Sequence, residues 1–132
     1  MSTKTTVRLS AVIEALTGVA LIAAPDLVAT VLLGVGLSAS GMAVARLTGI
    51  ALLSLAIACW PGGTEPSGHV IRGLFTYNLL AAMYLGYLRV GGGFVSYLLW
   101  PACALHAVLA VLLARPAYGG IFPAEANRSR KQ

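Results

Sequence analysis

Glu14, Asn78, His106 and Ser54 are the residues whose chemistry stands out, because each interrupts a long apolar stretch. A carboxyl, a carboxamide, an imidazole and a hydroxyl can hold or relay a proton among themselves. Counted from the ends expected on one side of a bilayer at about 1.5 Å per residue, Glu14 lies roughly 10 Å deep, Asn78 and His106 about 12 Å, and Ser54 about 9 Å. Four segments thus each supply one member of a shared layer, with Tyr77 and Thr17 near enough to join. Small residues surround them at helical spacing: Ala11, Ala15 and Gly18 around Glu14, Ala81 and Ala82 after Asn78, Ala102 and Ala110 one turn from His106. Such neighbours permit close helix approach, as expected if the polar groups point inward.

Two readings of this layer stay open. In one it is a proton-responsive or ligand-orienting site, with Glu14 and His106 exchanging a proton and Asn78 orienting them. In the other it is a structural polar clasp that sets helix register. A second set, Arg46, Tyr84 and Trp100, falls about 21 Å from the same face by helix rise. It reads either as an anion or quinone-headgroup site, with Arg46 as donor and the rings as walls, or as an arginine snorkelling within an aromatic belt. His69 belongs to a polar loop. No Cys/His spacing suggests zinc, no glycine-rich turn suggests a phosphate cradle, and no serine sits in a nucleophile elbow. The sequence therefore assigns no catalytic residue, no metal site and no named cofactor, and it points away from an enzyme.

The elements that must position these groups are transmembrane helices. Of 132 residues, 58% are hydrophobic and 10% charged, and mean hydropathy is +0.86. A soluble domain typically carries about a quarter charged residues, so an ordinary cytosolic enzyme is excluded. A hydrocarbon layer of roughly 30 Å asks for about 20 apolar residues. Four stretches qualify, at about 7–24, 41–60, 70–88 and 94–114. Pro61-Gly62-Gly63 with Glu65-Pro66 closes the second, and Gly91-Gly92-Gly93 allows the reversal before the fourth. Pro25-Asp26 restarts a helix whose Leu27, Val28, Val31, Leu32 and Leu33 fall largely on one side, which predicts a short interfacial helix after the first span. The alternative is one long first helix, kinked at Pro25 and running to Gly34.

The expected fold is all-α: a transmembrane four-helix bundle over residues 1–115, followed by a basic tail at 116–132. Placing the N-terminus in the cytoplasm puts Lys4, Arg8, Arg72, Arg115, Arg128, Arg130 and Lys131 inside and leaves Arg46 and Arg89 outside, seven against two. This distribution predicts both termini cytoplasmic. The basic residues form no face on a soluble element, so the net charge of +5 does not indicate nucleic acid. Cys59 and Cys103 lie at different depths, which argues against a disulfide. The partners implied are the lipid bilayer and, through small faces such as Gly41, Ala45 and Gly49, further copies or other membrane subunits.

The stretches Ala45-Arg46-Leu47-Thr48-Gly49-Ile50-Ala51-Leu52-Leu53, Ala58-Cys59-Trp60-Pro61 and Tyr77-Asn78-Leu79-Leu80-Ala81-Ala82-Met83-Tyr84-Leu85 resemble those of small bacterial four-helix membrane proteins, DoxX-like in layout. The resemblance runs from about Arg8 to Arg115. It implies a bacterial inner-membrane location and a loose association with redox or quinone-linked systems, and it assigns no site residue. The function expected from the sequence is that of a non-catalytic subunit or accessory of a membrane complex. The rivals are a small proton-coupled carrier or channel using Glu14 and His106, and a quinone-linked redox subunit.

Overall fold

The computed structural model describes residues 1–63 and 65–119. Of the expected tail at 116–132, residues 116–118 instead continue the last helix, and the part from 120 on, with Arg128, Arg130 and Lys131, lies outside the described residues. Helix α1, Thr3–Ala23, opens on Ser2, whose Oγ accepts the Thr5 N–H at 3.2 Å. It stops at Ala24, which adopts φ −141° and ψ 62°, because a residue before proline is driven out of the α region. Pro25 then starts α2, Pro25–Leu33, and Gly34 ends it with φ 79°, a left-handed conformation natural to glycine. Asp26 ties the turn after α2 by accepting the Leu37 N–H at 2.7 Å. The break at Ala24 makes α2 a separate nine-residue helix rather than a kinked extension of α1.

Helix α3, Ala39–Ala58, is capped by Ser38, and α4, Gly68–Val90, by Ser67. Each hydroxyl accepts an N–H of the first turn, which satisfies a donor the helix leaves orphaned. Helix α5, Leu99–Tyr118, begins five residues later than the apolar pattern predicts. Ser96 explains the delay: its hydroxyl donates to the Val31 carbonyl at 2.6 Å and accepts the Leu98 N–H at 3.3 Å. This holds the segment after the triple glycine against α2 instead of in the helix.

The four long helices alternate in direction. At one end the start of α1, the close of α3, the start of α4 and the close of α5 meet around Val7, Cys59, Ile71, Leu74, Leu113 and Ala117. Lys4 Nζ donates to the Gly63 carbonyl there at 3.1 Å, and Phe75 packs edge-on to Tyr118 at 5.3 Å. Packing is closest within two pairs, α1 with α3 and α4 with α5, and α1 joins the pairs through α5 and α4. Helix α3 also touches α2 but makes no comparable contact with α4 or α5.

Two glycines set the α1–α3 approach. A methyl group at Gly18 would lie 2.7 Å from the Gly49 carbonyl oxygen, and one at Gly49 would lie 2.7 Å from that of Gly18. Gly49, predicted from sequence to face another subunit, is thus buried against the protein's own first helix. In the α4–α5 pair, Cys103 Sγ donates to the Ala82 carbonyl at 3.3 Å, and both cysteines are free.

The described residues are all-helical. Helices α1, α3 and α5 are each long and apolar enough to cross a membrane, which marks the chain as a membrane protein. Helix α4 is the longest at 23 residues, but Arg72, Asn78, Arg89 and its tyrosines lower its apolar content. Large side chains such as Leu16, Val44, Leu47, Ile57, Met83 and Val111 remain exposed, as lipid-facing positions do. Gly18→Ala or Gly49→Ala should cost about 1–3 kcal/mol, the usual range for overpacking a tight contact. Gly73→Ala, where a methyl group meets nothing within 4 Å, should be neutral. Thermal unfolding in detergent checks this, and equal melting of all three variants would contradict the close crossing.

Candidate functional site

Three helices supply the polar cluster. Asn78 on α4 and Ser10 and Glu14 on α1 are fully buried, and His106 on α5 is partly buried. Asn78 Nδ2 donates to the Leu74 carbonyl, one turn back along α4, at 2.8 Å. The same nitrogen donates to Ser10 Oγ at 3.0 Å across to α1. On the other side, Asn78 Oδ1 lies 2.9 Å from His106 Nδ1.

The hydrogens of this network follow by elimination. A backbone carbonyl only accepts, so the atom facing Leu74 must be the amide nitrogen, and the atom facing His106 must be the amide oxygen. An amide oxygen also only accepts. His106 Nδ1 therefore carries the proton and donates it, and in the neutral ring Nε2 is left with a free lone pair. The Tyr77 ring packs edge-on to the imidazole at 5.8 Å, which helps to hold its plane.

Glu14 stands apart from this closed set. Its carboxyl is fully buried, and neither oxygen has a hydrogen-bond partner among the described residues. The Tyr77 hydroxyl interacts with the carboxyl, yet it falls short of hydrogen-bond geometry. A carboxylate left bare at such a place costs several kcal/mol, so Glu14 is stable there with a proton or with a cation beside it. Small residues Ala11 and Gly18 pack on either side along α1 and exclude solvent.

Of the four groups expected in this layer, the structure brings Asn78 and His106 into direct contact and buries Glu14 near them. It leaves Ser54 outside: the residue is exposed on α3 and its hydroxyl donates to its own helix, to the Ile50 carbonyl at 2.8 Å. Ser10 takes the place expected for Ser54 and was missed by sequence reasoning. Its signal was its position four residues before Glu14, which puts the two on one helix face.

The outer set is not assembled. Arg46 is exposed on α3, Trp100 is exposed on α5, and Tyr84 stacks on Tyr87 of its own helix at 6.4 Å. Among the described residues Arg46 makes no contact with an aromatic face. His69 is exposed at the start of α4. No group of three or more metal-ligating side chains occurs among the described residues.

Fold and cluster together define a small multi-helix membrane protein with a polar core bridging α1, α4 and α5. Comparison of the chain with protein-family models, with curated proteins and with solved structures finds no match. Asn78→Leu should destabilise the protein by about 1–3 kcal/mol, because it leaves the His106 N–H without an acceptor in the interior. Ser10→Ala should cost nearer 0.6 kcal/mol, the average for an interhelical bond in a membrane, since the Leu74 carbonyl still holds the amide. Unfolding of both variants in detergent gives the ranking, and the reverse order would refute the network drawn here.

Proposed function

We propose that the protein is a small proton-linked carrier of the bacterial inner membrane, in which Glu14 is the group that takes up and releases the proton. The observation that supports this is the buried carboxyl, which makes no hydrogen bond to the described residues and has the Tyr77 hydroxyl beside it. A clasp needs only Ser10, Asn78 and His106, which already satisfy one another. Glu14 makes no hydrogen bond to that clasp, and its burial with no hydrogen bond to the described residues works against stability, a combination more typical of functional than of structural residues inside membranes.

In this reading α1, α3, α4 and α5 all span the bilayer, α2 lies in the interface at the far side, and both termini face the cytoplasm. The layout is DoxX-like. Supporting it, Lys4, Arg8, Arg72 and Arg115 belong to the same end of the molecule, where α1 and α4 begin and α3 and α5 close. That end is the one the positive-inside rule retains in the cytoplasm. Exposed Leu27 and Val31 on α2 suit immersion at the opposite surface.

A second reading, a non-catalytic subunit of a larger membrane complex, is favoured by the outlying position of α3, which packs chiefly on α1 and α2. The quinone-linked reading has no comparable support, because Arg46 makes no contact with an aromatic ring among the described residues.

In proteoliposomes carrying a pH-sensitive dye, the wild type should collapse an imposed pH gradient faster than protein-free vesicles. Glu14→Gln, folded and inserted to the same yield, should match the empty vesicles. Equal rates for wild type and Glu14→Gln would remove the carrier reading, and a stoichiometric partner in native mass spectrometry would favour the subunit reading. For topology, a fluorescent protein fused after Gln132 should fluoresce in the cytoplasm, and a periplasm-dependent phosphatase fused after Gly92 should be active. The opposite pattern would invert the orientation.

A further inference from the structure

Between α1, α2 and α5 runs a groove of about 550 Å³, well inside the range of roughly 300–1,000 Å³ typical of small-molecule sites. Its walls are apolar, formed by residues such as Ile13, Leu16, Val28 and Leu105, and only Thr17 and His106 bring polar side chains to it. We propose that this groove binds an apolar chain or ring molecule bearing a hydroxyl group, an alcohol or phenol, whose O–H is donated to Nε2 of His106.

The specificity for a donor follows from the hydrogen-bond chain behind the imidazole. The Leu74 carbonyl fixes the Asn78 amide, the amide oxygen fixes the proton on Nδ1, and the remaining nitrogen is an acceptor. No partner among the described residues occupies Nε2, and the residue lines the groove. An ether or ketone has no proton to offer this lone pair. An ammonium group would have to enter apolar walls that give it no counter-charge. An alcohol or phenol meets both conditions, since it is neutral and donates. The Thr17 hydroxyl, which makes no hydrogen bond to the described residues, opens onto the same groove and can accept or donate to the ligand oxygen. Four helices contribute to the lining, α4 through Leu85, so a ligand there also bridges α2 to α5, beside the Ser96 contact that ties the segment before α5 to Val31. The inference stands whether or not Glu14 exchanges a proton, because it uses the opposite side of the Asn78 network.

The test uses a long-chain alcohol carrying a photoreactive diazirine, and its methyl ether, with the full chain in nanodiscs. The alcohol should label groove residues on α1 and α5, as mapped by mass spectrometry. The ether should compete roughly two- to tenfold less well, the loss of one hydrogen bond. His106→Phe should erase that difference while keeping the apolar labelling. Equal labelling by alcohol and ether in the wild type would overturn the proposal and reduce the groove to a crevice for lipid chains. Retention of the alcohol preference in His106→Phe would overturn it as well. Should His106→Phe fail to fold, ¹⁵N NMR of histidine in the His69→Gln background decides: the Nε2 resonance should shift on adding the alcohol and not the ether, and an unmoved resonance counts against the site.

Discussion

A carboxamide buried among apolar helices has to find partners for two N–H groups and one oxygen, and Asn78 finds all three on three different elements. One proton goes back to its own helix, one crosses to Ser10 on α1, and the oxygen receives the proton of His106 on α5. The geometry of α1, α4 and α5 is constrained by this one side chain, because sliding any of the three by a turn, about 5.4 Å, would leave a polar group bare. In lipid such a group finds no water to replace the lost partner. An individual interhelical hydrogen bond contributes modestly there, about 0.6 kcal/mol on average. The effect on register is larger than the effect on stability, since the alternatives to the native arrangement carry the cost of unpaired groups.

Around that cluster, close packing does what hydrophobic burial does in water. Lipid tails are as apolar as leucine, so helices associate through dispersion contacts that small residues make possible. Gly18 and Gly49 bring the α1 and α3 backbones together, and Ala82 with Gly86 admits the Cys103 sulfur between α4 and α5. The result is two tight pairs joined through α1. This arrangement also creates the groove beside His106, because α2 turns away from α1 at Ala24 and leaves the space between itself and α5 to be walled rather than filled.

Glu14 and His106 have opposite relations to the cluster. The imidazole is held by it, with its tautomer decided by a backbone carbonyl two bonds removed along the network. The carboxyl is enclosed by the same helices but excluded from the pairing. A proton-binding role for the acid and a hydroxyl-binding role for the imidazole are therefore chemically separate uses of neighbouring residues.

The amino-acid sequence by itself determined the helical segments, their breaks at Pro25, at 61–67 and at the triple glycine, and the positions of Glu14, Asn78 and His106 along their helices. Length, capping residues and charge placement are local properties, legible along a chain. The rotation of each helix about its own axis was decided by the tertiary structure. Because apolar residues surround these helices on nearly every side, no amphipathic stripe announced which face turns inward. Ser54 accordingly faces out and Ser10 faces in, Gly49 packs on the protein's own first helix, and Arg46 makes no contact with the ring of Tyr84 or Trp100. Even the first residue of α5 depended on a contact across the fold, from Ser96 to Val31. Position along a helix follows from counting residues, whereas facing follows from which neighbours can approach closely and which polar groups can be satisfied together.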